Sequence, residues 1–248
     1  MGGSKQIETQ YYFSIIIVTL NAGKSISKCL ESLDNQCYKN FEIINIDGCS
    51  TDNTQEIIAK FSHLKINSVI EPDDGLYFAM NKGIAIATGK VIGIINADDY
   101  YLPDTLQIVH DYFISNVEVE GVAGAIYLLG RKILRPDLSR LGIEMIPHPA
   151  LFIEKESYAK YGNFNTRFKV AADYELVMRF NKHGVRILEI PEQLAVMTPG
   201  GFSSRHVLRS MIETSLLQRK YNEWSFAYTF FKILRYFIGT FLRWIKLK

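Results

Sequence analysis

The 248-residue sequence has only three cysteines, Cys29, Cys37 and Cys49. So few, at that spacing, exclude a disulfide framework and a cysteine-built zinc site, and they fit a reducing compartment. An excess of one charge is also missing, because 28 Lys and Arg stand against 26 Asp and Glu. No repeat and no low-complexity linker divides the chain. The polar start Met1-Gly2-Gly3-Ser4-Lys5 has no apolar secretory core. No long glycine-rich phosphate loop follows the first apolar run; Ala22-Gly23-Lys24-Ser25 is too short to serve. That argues against the leading enzyme alternative, a nucleotidyltransferase of similar layout.

What is present is a globular composition, 48% hydrophobic and 22% charged. Its charge is uneven. From Arg205 onward there are nine Lys and Arg against two Asp and Glu, leaving 19 basic and 24 acidic residues before it. A mildly acidic body therefore precedes a basic tail, and the expected division is a domain over 1–204 and a helical tail over 205–248. Basic tails point to nucleic acid or anionic membrane.

Apolar runs at Phe13–Val18, Phe41–Ile46, Ile66–Ile70 and Val91–Ala97 read as buried strands. Helical spacing follows the first three, with Ile26, Leu30 and Leu33, then Ile57, Ile58 and Phe61, then the segment Leu76–Ala87. Four strand–helix units in about ninety residues predict an α/β fold with a mostly parallel sheet and right-handed crossovers. Beyond residue 99 the pattern predicts helices at 106–113 and 173–183. Strands are expected at 150–153, 187–190 and 194–197, and the loop 199–204 carries hinge-like glycines.

The fourth run ends in Asn96-Ala97-Asp98-Asp99. Two adjacent carboxylates at a buried strand's carboxyl end sit where open α/β sheets bind ligands. Their hard oxygens suit Mg²⁺ or Mn²⁺ arriving with a diphosphate. The competing reading is a turn that caps the helix after Pro103. His148, between two prolines, is a candidate for an acceptor pocket or a structural histidine, and His206 is a weaker metal candidate.

Six pieces in order resemble glycosyltransferase family 2 and its GT-A (Rossmann-like) fold. They are Val18-Thr19-Leu20-Asn21, Asp47-Gly48-Cys49-Ser50-Thr51-Asp52, Asp73-Asp74-Gly75, Ala79-Met80-Asn81-Lys82-Gly83, Asn96-Ala97-Asp98-Asp99 and Ala172-Asp173-Tyr174-Glu175-Leu176. The resemblance spans roughly residues 13 to 200 and is greatest to bacterial enzymes that assemble surface polysaccharide on a lipid carrier. It implies an inverting, metal-dependent transfer from a UDP-hexose or UDP-N-acetylhexosamine to an acceptor hydroxyl. It implies Thr19, Asn21, Asp47, Asp73, Asn81 and Asp98 as nucleotide-sugar-binding residues, with Asp47 on the base. Asp99, helped by Asp98, would hold Mn²⁺ or Mg²⁺, and Asp173 would be the catalytic base. Gly48 departs from the family, which often has a second Asp there, and Phe78 stands where close relatives often have Asp. The processive Gln-x-x-Arg-Trp motif is lacking; the nearest match is Thr240-Phe241-Leu242-Arg243-Trp244, so a non-processive enzyme is expected. The non-enzyme alternative is a membrane-bound scaffold that has lost its chemistry, against which Asp98, Asp99 and Asp173 together argue.

Residues 224–248 have a helical pattern of their own. Lys232, Arg235, Gly239, Arg243 and Lys246 fall within roughly 80° of one another on a helix, with an apolar and aromatic face around the rest. Such a stripe disfavours both a membrane span and nucleic-acid binding. It predicts an interfacial amphipathic helix on the cytoplasmic face of a bacterial inner membrane, Trp224 and Trp244 near its ends, beside a lipid-linked acceptor. Packing on the domain or on a second subunit of a homo-oligomer is the alternative.

Overall fold

The computed structural model describes residues 12–140, 146–201 and 205–221. The first four apolar runs form β1 (Phe13–Thr19), β2 (Phe41–Asp47), β3 (Asn67–Ile70) and β4 (Val91–Asn96). They lie in the order β3-β2-β1-β4, all pairs parallel, with Thr19 opposite Asp47 and Val18 opposite Asn96. The crossovers are α1 (Ile26–Asp34), α2 (Thr54–Lys60) and α3 (Leu76–Ile86). Every residue of β1 is buried. Because side chains alternate along a strand, Ile15 and Ile17 join the α1 and α2 side, while Ile16 and Val18 join the α3 side. Two cores therefore sit on opposite faces of one sheet.

The second half of the sheet is mixed. Its elements are β5 (Tyr100–Tyr101), α4 (Thr105–Ser115), β6 (Gly121–Leu128), β7 (Lys132–Leu134), β8 (Leu151–Glu154), α5 (Lys155–Tyr161), α6 (Ala172–Lys182), β9 (Ile187–Met197) and α7 (Val207–Lys220). The order continues β4-β8-β6-β9-β5, with β7 paired to β6. β8 is antiparallel to both β4 and β6, and β9 is parallel to β6. The carboxyl ends of β1, β2, β4, β6 and β9 consequently share one edge, which is where every candidate loop emerges.

The two strands expected at 187–190 and 194–197 are one continuous strand. Pro191, which has no N–H to give a ladder, sits where the register with β6 shifts between Ala123 and Ala125. Helix α5 had no place in the expected pattern, and its seven residues are too few to show a helical period.

Beyond the boundary expected at 204/205, the described part of α7 packs on α6. Leu217 is fully buried against Ala171, Tyr174 and Met178 of the α6 region, and Tyr221 donates to Glu175 Oε1 at 2.9 Å. No helix among the described residues is long and apolar enough to cross a membrane. The amphipathic segment 224–248 lies outside the described residues.

Candidate active site

A cavity of about 890 Å³ opens at the shared carboxyl edge. Asn96, Asp98 and Asp99 line it from the end of β4, Pro147 and His148 from the turn before β8, and Asp173 from the first turn of α6. Arg131 to Asp137 line it from the β6–β7 hairpin and its exit, and Met197 to Gly201 from the end of β9. Three of the acids expected to do chemistry therefore meet in one space.

Asp173 is held on three sides. Its Oδ1 accepts the backbone N–H of Tyr174 at 2.9 Å and lies 3.0 Å from the Tyr77 hydroxyl. That hydroxyl also lies 2.8 Å from Val170 O, so its one proton serves the carboxylate and the preceding turn in alternation. Burial and the neighbouring Asp173 push the Tyr77 phenol well above its usual range, which keeps it a donor. Asp173 Oδ2 faces His148 Nδ1 at 3.6 Å and is the oxygen left to take a proton. The His148 Nε2 is buried without a partner among the described residues.

The turn before α6 is fixed from α7. Glu213 accepts the backbone N–H groups of Lys169, Val170 and Ala171 at 3.0, 2.8 and 3.0 Å, and Arg209 donates to it at 2.8 Å. A carboxylate at a helix N-terminus satisfies donors that the helix itself leaves unpaired. Sequence reasoning missed Glu213 and Tyr77, since both act across long sequence separations and neither lies in a local motif.

Asp98 and Asp99 differ in exposure. Asp99 is 2% exposed and accepts the Thr198 N–H at 2.8 Å, whereas Asp98 is half-buried, with Gly201 close to its Oδ2. The expected leading role of Asp99 at a metal meets this burial, and Asp98 is the more accessible oxygen donor. Burial and the charge of Asp98 push the Asp99 carboxyl up to about 7. Two adjacent carboxylates whose joint charge is disfavoured, open to a cavity, fit a hard divalent cation. Among the described residues no group of three or more His, Cys, Asp or Glu gathers as a metal cage. That donor set fits Mg²⁺ or Mn²⁺ completed by water and substrate phosphates rather than an all-protein site. His206 lies exposed at the start of α7 and is not among the cavity-lining residues.

The other expected binding residues lie elsewhere. Asp47 is fully buried at the end of β2; its carboxylate accepts from Thr19 Oγ1, Ser50 N and Ser50 Oγ, each at 2.7 Å. Asn21, at φ 53°, accepts the Thr51 N–H at 2.9 Å. Asp73 accepts the Gly75 N–H at 2.8 Å, and its Oδ2 lies so close to Gly48 that an added Cβ would sit 2.9 Å away. A side chain at 48 would therefore require the Asp73 carboxylate to shift. Thr19, Asn21, Asp47 and Asp73 thus form a loop cluster beside the cavity, not its lining. Asn81 belongs to neither group. Its amide donates to Phe164 O and accepts from Phe164 N, both at 2.9 Å, tying α3 to the chain before α6. Each polar end of Asn81 thus holds one backbone group of Phe164.

The family model for glycosyl transferase family 2 matches residues 14–183. A PGL/p-HBAD biosynthesis glycosyltransferase of Mycobacterium tuberculosis is 34% identical over 175 residues, 67% of this chain and 68% of that protein. The hyaluronan synthase of Pasteurella multocida is 25% identical over 69% of this chain and 19% of its own length. Among solved structures, the mannosyltransferase PcManGT of Pyrobaculum calidifontis, in complex with GDP-Man and Mn²⁺, superposes with a TM-score of 0.70 at 20% identity, covering 86% of this chain and 65% of that one. S. aureus TarS 1-349 in complex with UDP-GlcNAc superposes with a TM-score of 0.65 at 20% identity, covering 83% and 66%. Against the longer S. aureus TarS chain, this chain spans 39%.

Proposed function

The chain belongs to glycosyl transferase family 2 and is a glycosyltransferase; on that premise we propose an inverting, metal-dependent, non-processive transfer of a hexose or N-acetylhexosamine from a UDP-sugar to a hydroxyl of a lipid-linked glycan. The observation that carries this reading is the meeting of Asp98, Asp99 and Asp173 in one cavity at the carboxyl edge of the sheet. The solved relatives with bound UDP-GlcNAc or GDP-Man and Mn²⁺ support a nucleotide-sugar donor and a divalent ion.

In this mechanism Asp173 Oδ2 takes the proton of the acceptor hydroxyl as its oxygen attacks the anomeric carbon. The bond from that carbon to the diphosphate breaks on the opposite face, and the nucleoside diphosphate leaves with the electron pair. Tyr77 and the Tyr174 N–H hold Asp173 Oδ1 and orient the base. A divalent cation on Asp98 and Asp99 would neutralise charge developing on the leaving diphosphate. The Thr198 N–H keeps Asp99 aimed from the end of β9. The basic, amphipathic segment 224–248 supports a place at the cytoplasmic face of a bacterial inner membrane, as a peripheral protein.

The test is release of UDP from a panel of UDP-sugars, with and without Mn²⁺, beside donor protection against thermal unfolding. Metal-dependent release by wild type and none by Asp98→Ala is the expected result. Release that is indifferent to metal, or equal in the variant, would discard the metal-assisted reading.

A further inference from the structure

We propose that the β6–β7 hairpin is a binding site for a phosphate group carried by the acceptor. The proposal rests on the glycosyltransferase reading above and adds the chemical class of the second substrate. Arg131, Lys132 and Arg135 line the same cavity as Asp98, Asp99 and Asp173. All three are exposed. Among the described residues none of them has a carboxylate partner; the only side-chain hydrogen bond recorded for the three is from Arg135 Nη1 to Pro191 O, at 3.1 Å. Three cations that have no carboxylate partner among the described residues, lining one cleft, focus positive potential into it and favour an anion there.

The topology indicates which substrate brings that anion. The Thr19, Asn21 and Asp47 cluster lies on β1 and β2, to one side of β4. The hairpin lies on the other side of β4, beyond β8, and emerges from the same carboxyl edge because β6 runs in the direction of β4. A donor spanning from β1 and β2 to the carboxylates of β4 leaves its diphosphate at Asp98 and Asp99. The hairpin cations then face whatever enters from the acceptor side, beside His148 and Asp173. Leu129 and Ile133, both exposed on the same hairpin, place apolar surface next to the cations. A phosphate ester, lipid-linked or free, matches that combination; a neutral glycan does not.

The experiment measures binding to the full chain in EDTA, so that no cation at Asp98 and Asp99 recruits phosphate. The probes are farnesyl phosphate, inorganic phosphate and farnesol. Wild type is expected to bind farnesyl phosphate in a salt-sensitive way. The variant Arg131→Ser/Lys132→Ser/Arg135→Ser is expected to bind it roughly tenfold or more weakly, the loss that follows removal of charge-assisted hydrogen bonds. Competition by inorganic phosphate would show that the phosphate alone is read; its failure to compete would show that the lipid is read too. Affinity for UDP with Mn²⁺, measured in parallel, should change less than about twofold, as for independent sites. Unchanged farnesyl phosphate binding in the variant, equal binding of farnesol, or a parallel loss of UDP affinity would overturn the proposal. A wild type that binds no UDP with any metal would count against the donor reading alone, because the EDTA arm reads the hairpin separately. A single Lys132→Glu exchange, on an exposed side chain, guards against a folding defect in the triple variant and should also weaken farnesyl phosphate binding.

Discussion

Two carboxylate groups at the same sheet edge behave differently. Asp47, at the end of β2, is fully buried and accepts three hydrogen bonds from Thr19 and Ser50. Asp98 and Asp173, at the end of β4 and the start of α6, face a cavity with acceptor capacity to spare. The first arrangement is a closed polar network that shapes a loop. The second places carboxylates on the lining of a cavity, half-buried at Asp98 and buried at Asp173, where a cation or a proton can reach them. A buried carboxylate whose oxygens are all bonded is stable but inert, while one left partly open is costly and reactive.

The comparison breaks most sharply at Asp173. Asp173→Asn keeps the shape and the Tyr77 contact but cannot accept a proton, so turnover should fall by about 10²- to 10⁴-fold with donor affinity retained. Transfer rate set against calorimetric UDP affinity tests this, and equal loss of both would make Asp173 a binding or structural group. Asp47→Ala should do the reverse. Ser50 N and Oγ lose their acceptor, at a cost of about 1–3 kcal/mol for each donor left unpaired, read as a lower denaturation midpoint, while any surviving protein keeps its kcat and shows a raised donor KM. A stable Asp47→Ala protein with lost kcat would erase the distinction between the two groups.

Glu213 sharpens the comparison, being a closed carboxylate that serves an open one. Glu213→Gln should cost about 1 kcal/mol of stability and lower kcat more than donor KM, because the turn carrying Val170 and Asp173 loosens. Burial pushes the Glu213 carboxyl up, but Arg209 and the three N–H groups outweigh it, so its net position is below the usual range. A depressed carboxyl stabilises the fold above its unfolded-state value, and that contribution is lost as pH falls through the folded-state value. Wild type should therefore lose melting temperature on the acid side more steeply than Glu213→Gln, and parallel curves would remove Glu213 from the account. The smallest effect is expected from Gly48→Ala. Its Cβ would meet Asp73 Oδ2 at 2.9 Å, and a side-chain shift there should raise donor KM modestly with kcat intact.

The sequence by itself determined the parallel half of the sheet and the presence of the acids. Runs such as Ile15-Ile16-Ile17-Val18 and Ile92-Gly93-Ile94-Ile95 are apolar on both faces, and only a strand covered by helices on both sides can hide them. The acids that follow those runs must then lie at the carboxyl edge. Tertiary structure alone decided which acids open to the cavity and what the short elements do. Asn81 sits in a family motif, yet Phe164, 83 residues away, takes both ends of its amide. Asp98 and Asp99 are neighbours in the chain, yet Thr198 at the end of β9 draws only Asp99 inward. The strand at β8 was legible as an apolar run, but its antiparallel place between β4 and β6 was not, and the seven-residue α5 is too short to show a helical period. Local pattern encodes burial because burial repeats every two or 3.6 residues; a hydrogen bond across eighty or a hundred residues has no period, and only the folded chain reveals it.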